Sequence, residues 1–126
     1  MLKETVLLLL MIFISMISRA QIAEVKTDGS YARIYDDKGH YTGNSIYLSS
    51  NSSLAGYSNN YIVIKDGPYA KIYDCKGHYT GNSIYLSSSA GIKNVSASAI
   101  LIKDGSYVKY YDFTGHYTGT STYDPK

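Results

Sequence analysis

The chain has no tryptophan, one cysteine and two prolines, and charged residues make up only 17% of its 126 positions. A lone thiol, Cys75, cannot close an internal disulfide, so the fold must hold by packing and backbone pairing. Runs of alanine, leucine, glutamate or lysine are missing beyond the opening segment, and Glu24 is the only glutamate after Glu4. That composition argues against helix. Charge of one sign is missing too. The net charge is +2, and the basic residues stand singly rather than in a stripe, which removes the electrostatic footprint a nucleic-acid partner needs.

The one long apolar run lies at the start. Lys3 precedes Val6–Ile14, and Ser18-Arg19-Ala20 puts small residues at the spacing of a signal-peptide cleavage site. The pattern predicts a signal peptide over 1–20, cut between Ala20 and Gln21. Val6 to Ile17 spans twelve residues, short of the roughly 20 needed to cross a bilayer, so the expected product is exported, periplasmic or extracellular, and not membrane-embedded. Lys3, Arg19 and Glu4 fall in that segment, leaving ten of twelve basic and nine of ten acidic residues in 21–126. A single β domain is expected there, its size allowing one small core but not two.

What the chain has in abundance is tyrosine, fifteen in all, and repetition. Asp28-Gly29 recurs 38 residues on as Asp66-Gly67 and again as Asp104-Gly105. Gly39-His40-Tyr41-Thr42-Gly43 recurs at the same spacing from Gly77 and from Gly115. A fixed period of this length marks a supersecondary unit that buries its apolar face against its copies, here placed at about 25–62, 63–100 and 101–126.

Within the middle copy, Tyr61–Lys65 reads as a β-branched strand and Asp66-Gly67 as a tight hairpin turn. Tyr69-Ala70-Lys71-Ile72-Tyr73 alternates, with Ala70 and Ile72 facing a core and Tyr69, Lys71 and Tyr73 facing the other way. Asp74-Cys75-Lys76-Gly77 forms a second turn whose carboxylate can accept backbone N–H bonds. A third strand runs from His78 to Leu86, with Gly81 as a bulge, and 87–98 either links to the next copy or adds a short fourth strand. Cys75 aligns with Asp37 and Phe113, which points to an exposed turn. Glu24 and Lys26 stand where the later copies have isoleucine, as in an edge strand. The expectation is an all-β domain of three meanders, closed or sandwich-like and possibly pseudo-threefold, with an open stack of hairpin units as a further option.

The candidate ligand-binding residues are the aromatic-basic faces Tyr31/Arg33/Tyr35, Tyr69/Lys71/Tyr73 and Tyr107/Lys109/Tyr111. Tyrosine offers rigid amphipathic contact area suited to a surface glycan or a protein, and basic side-chain stems can lie across the rings. The competing explanation is plain cross-strand stabilisation. His40, His78 and His116 occupy equivalent places, so duplication explains them without a metal, and each can bond locally to Asp36, Asp74 or Asp112. No nucleophile elbow or asymmetric carboxylate pair is present, and the Gly-rich turns lack a phosphate-loop pattern. The sequence therefore predicts a non-enzymatic binding module with no cofactor, no catalytic residue and no metal. The alternative is a structural envelope or self-assembling protein.

Overall fold

A computed structural model describes residues 22–126, so the signal-peptide expectation for 1–20 lies outside the described residues. Eleven strands and no helix occur among them, in three open antiparallel sheets. The first sheet holds β1 (Glu24–Asp28), β2 (Tyr31–Tyr35) and β3 (Tyr41–Tyr47). The second holds β4 (Ser52–Tyr57), β5 (Tyr61–Asp66), β6 (Tyr69–Asp74) and β7 (Tyr79–Tyr85). The third holds β8 (Ala90–Val95), β9 (Ile100–Asp104), β10 (Tyr107–Tyr111) and β11 (Tyr117–Tyr123). Every strand pairs only with its neighbour in sequence. The segment after each Leu48 or Leu86 thus supplies the leading strand of the following sheet, and sheet boundaries fall inside the copies drawn from the sequence period.

None of the sheets closes, so the barrel or prism expected as one option is not the form adopted. The reason lies in where the apolar side chains sit. On the middle sheet, Ile62 and Ile64 face backward into one core with Val25, Ala32, Ile34, Ile46 and Leu48 of the first sheet. Val63, Ala70, Ile72, Ile84 and Leu86 face forward into a second core with Ile100 and Ile102 of the third. Two small cores thus form where the chain's length led to the expectation of one, because a sheet buried on both faces cannot roll up around a single interior. It takes partners on each side, and β4 accordingly touches β1 on one side and β8 on the other. Residues 61–64 of β5 are all buried, the run of an interior strand covered on both faces.

Two contacts set the distance between sheets. A Cβ added to Gly77 would stand 3.1 Å from the Ser45 carbonyl oxygen of the preceding sheet, and one at Gly115 would stand 3.0 Å from that of Ser83. Gly39, at the same turn of the first sheet, meets nothing within 4 Å. All three glycines have positive φ, from 78° to 86°. Along the leading strands, a Cβ on Gly56 would lie 2.8 Å from that of Val95, so β4 and β8 approach almost backbone to side chain.

The position of Cys75 corrects the exposed-turn expectation. It is half-buried and packs against the first core. Phe113 in the third sheet's turn reaches back over Tyr61, with ring centroids 6.3 Å apart, whereas Asp37 in the first sheet is exposed. The residue type follows whether a preceding sheet lies beneath the turn.

The outward faces of the end sheets are polar at the positions that are apolar inside. Glu24 and Lys26 stand in place of Ile62 and Ile64 and pair with each other at 3.7 Å. At the other end, Thr122 replaces Ile84 and Asp124 replaces Leu86. Asp124 bonds Lys93, the counterpart of Ala55, at 2.6 Å, and Lys103 lies 3.8 Å away. Charged outer faces of this kind stop a stack from adding further units.

Two outcomes follow. Gly39→Ala should lower stability by roughly 1–2 kcal/mol, the cost of a left-handed non-glycine residue, while Gly77→Ala and Gly115→Ala should cost more because a carbonyl stands in the way; thermal melts of the three variants give the ranking. Replacing the end-face residues by their interior counterparts (Glu24→Ile with Lys26→Ile, and Lys93→Ala, Thr122→Ile with Asp124→Leu) should increase end-to-end association over that of the unaltered chain, as read by size-exclusion chromatography with light scattering.

Candidate functional site

The tyrosine-basic-tyrosine triplets sit on the middle strand of the first sheet and on β6 and β10, on the backward face of each sheet. Register sets their partners. Tyr31 pairs with Tyr47, Tyr69 with Tyr85 and Tyr107 with Tyr123. The rings meet edge to face at centroid distances of 5.7, 5.7 and 5.6 Å. A bulge then shifts the register, so that Tyr35, Tyr73 and Tyr111 pair with Tyr41, Tyr79 and Tyr117. Gly81 sits in that bulge with φ of 87°, as the sequence predicts. The Ile72 carbonyl beside it accepts a 2.7 Å hydrogen bond from the Thr80 hydroxyl, and Thr42 and Thr118 serve Ile34 and Tyr110 in the same way. Each sheet therefore carries two tyrosine pairs held at fixed separation by one irregularity.

The two pairs have different surroundings. Tyr47, Tyr85 and Tyr123 are each about two-thirds exposed, and Tyr31, Tyr69 and Tyr107 are 42–50% exposed. Tyr35, Tyr73 and Tyr111 are half-buried. Tyr73 packs against the first core and Tyr111 against the second, so these two side chains help hold neighbouring sheets together. Burial pushes the Tyr73 phenol above its ordinary pKa. The six candidate tyrosines thus separate into one exposed and one inner tyrosine on each sheet, and two of the inner ones serve the sheet interfaces. The exposed partners Tyr47, Tyr85 and Tyr123 were not among the candidates; the third strand's register depends on the bulge, and only a pairing diagram built through Gly43, Gly81 and Gly119 would have placed them.

Between the pairs lie Arg33, Lys71 and Lys109, all half-buried. Each is matched to the aspartate of the preceding turn: Arg33 to Asp28 at 3.4 Å, Lys71 to Asp66 at 2.8 Å and Lys109 to Asp104 at 3.4 Å. The Lys71 hydrogen bond holds the Asp66 carboxyl below its usual pKa, and the same bond raises Lys71. Arg33 lies 5.4 Å from the Tyr41 ring centre and Lys71 lies 5.6 Å from that of Tyr79. In these two sheets the charged head of the basic residue lies near a tyrosine ring. The neutralised pairs leave no strong field on the tyrosine faces.

The histidines remain local. The backbone N–H of His40, His78 and His116 each donates to the carboxylate of Asp36, Asp74 or Asp112, at 2.9, 2.9 and 3.0 Å. His78 Nδ1 is 3.8 Å from Asp74, and His116 Nδ1 is 2.8 Å from the Thr114 hydroxyl. Among the described residues no group of three or more His, Cys, Asp or Glu side chains could hold a metal ion. No helix among them is long and apolar enough to cross a membrane.

The turn carboxylates also fix the response to acid. Backbone N–H bonds, that of His40 foremost, hold Asp36 below its ordinary value, and the Thr114 hydroxyl does the same for Asp112. Depressed carboxylate pKa values contribute stability that is present above the unfolded value of about 3.9 and lost as the pH falls through the folded value. The melting temperature should therefore drop below about pH 4, and Asp36→Asn combined with Asp112→Asn should flatten that drop in a pH series of thermal melts. No protein-family model, curated protein or solved structure matches the chain.

Proposed function

We propose that the three sheets are copies of one unit set in series rather than about a threefold axis, and that the chain is an exported, non-enzymatic module, periplasmic or extracellular after loss of residues 1–20. Its task on this reading is to bind a surface glycan or protein through tyrosine-rich faces. The observation that carries the proposal is the threefold recurrence of an exposed edge-to-face tyrosine pair, Tyr31–Tyr47, Tyr69–Tyr85 and Tyr107–Tyr123, with closely similar geometry and exposure. Cross-strand stabilisation alone does not require the second ring of each pair to stay two-thirds in solvent, whereas a ligand surface does. Three like sites on a rigid stack multiply weak contacts into avidity for any ligand long enough to reach more than one.

The alternative, a structural or self-assembling envelope protein, draws on the regularity of the scaffold. The charged end faces weigh against end-to-end growth. Replacing Tyr69 and Tyr85 together by alanine should weaken binding on a glycan array or in isothermal titration by at least fivefold while leaving the melting temperature within a few degrees. Undiminished binding in that variant would remove the tyrosine pairs from the site.

A further inference from the structure

The connection between the first and second sheets builds a groove. Its wall is formed by the first sheet's hairpin and the end of β3, and its floor by the start of β4. Ser30, Tyr47, Ser49, Ser50, Ser52 and Ser53 line it, together with Thr27, Gly29, Leu48 and Leu54. No side chain in that lining is charged. The Ser49 and Ser52 hydroxyls lie 2.9 Å apart, and either can donate to the other. Tyr47, 64% exposed, stands over the groove, and its ring is braced by Tyr31 at 5.7 Å.

The same connection one sheet further on is different. Residues 38 positions later put Lys65 for Thr27, Pro68 for Ser30, Ala90 for Ser52 and Gly91 for Ser53. Four hydroxyl-bearing side chains are replaced there, and a charge enters. The groove found beside β8 contains Lys93 and Lys103, both facing Asp124, at 2.6 and 3.8 Å. The scaffold is shared by the two connections, so packing does not demand the serines of the first. Two charges stand beside the lining, each with a partner: Asp66, opposite Ser52, takes the Ser52 hydroxyl and Lys71, and Lys65, opposite Ser53, bonds the Gly67 carbonyl. Hydroxyl groups that both donate and accept, set beside an aromatic face with no charged side chain in the lining, match the chemistry of a neutral polyhydroxylated ring.

We infer that the charge-free groove around Tyr47 and Ser49–Ser53 is a binding site for a neutral sugar unit of a glycan chain. The inference rests on the glycan form of the proposed function and names where one residue of that glycan is held. The Tyr47 ring packs on the apolar face of the pyranose, and the serine hydroxyls exchange hydrogen bonds with its equatorial hydroxyls. A uronic acid or sulfated sugar finds no cation in the groove and is disfavoured.

The test is isothermal titration of the protein with hexasaccharides of neutral glucose and N-acetylglucosamine polymers, alongside a polyuronate and a heparin hexasaccharide. At least one neutral hexasaccharide should bind, with the acidic ones at least tenfold weaker. Tyr47→Ala and Ser50→Asp should each lower that affinity about tenfold or more, which corresponds to about 1.4 kcal/mol. Ser88→Asp, the counterpart of Ser50 in the second connection, should change it by less than threefold. Thermal melts confirm that each variant is folded. Neutral-glycan binding that responds to Tyr85→Ala but not to Tyr47→Ala or Ser50→Asp overturns the groove and leaves the tyrosine-face reading intact. Preference for the acidic hexasaccharides overturns the groove's neutral specificity, again without touching glycan binding as such. Binding of none of the four overturns the groove together with the glycan form of the proposed function.

Discussion

Everything in this molecule depends on the middle sheet being apolar on both faces. Ile62 and Ile64 look one way and Val63, Ala70 and Ile72 the other, so two cores form where a sandwich has one. A strand covered on both sides needs neighbours in front and behind, and the chain supplies them by laying down sheets in order. Burying a Val or Ile side chain contributes roughly 1.5–3 kcal/mol. Several such residues at each interface replace the covalent staples that a chain with one cysteine cannot form.

Once that constraint is met, the differences between corresponding positions of the three sheets become intelligible as responses to what covers each face. Where a sheet has a predecessor, its turn carries Cys75 or Phe113 and a glycine pressed against a carbonyl; where none of the described residues forms one, the turn carries Asp37 and a glycine with open space. Where a sheet has a successor, its forward face carries isoleucine and leucine; where none of the described residues follows, it carries Thr122 and Asp124. Tyr61 adds a polar link between sheets, its hydroxyl donating to the carbonyls of Ser96 and Ala99 in the turn before β9. Burial raises the pKa of that phenol, in keeping with a neutral donor held between layers.

Much of this was legible before any coordinates. Strict alternation in Tyr69–Tyr73, the Asp-Gly turns and the β-branched run at 61–64 specify antiparallel meanders, and the carboxylate of Asp74 caps its turn as its position implies. The mode of closure was not legible. Alternation says which side chains share a face; it does not say whether two faces meet around an axis or along a line. The clue was present in Ile62 and Ile64, which make both faces of one sheet apolar, but reading it requires knowing that 87–98 joins the next sheet. The tyrosine face divides into two parts for a related reason. Tyr73 and Tyr111 lie on the backward side, where the inner half of the face is covered by the preceding sheet and only the outer half reaches solvent. The groove at 27–54 was invisible because its residues are joined only by a register and a connection.

The strictly sequential pairing has a kinetic meaning. No strand waits for a partner synthesised much later, so each meander can zip up with short loops to close, and the relative contact order stays low for an all-β chain. What must come afterwards is docking, and the second sheet cannot finish hiding Val63, Ile72 and Ile84 until the third is in place. Folding should thus proceed by hairpin formation first and layer-on-layer association second, leaving the forward face of the middle sheet as the surface most exposed to misassociation in the interval.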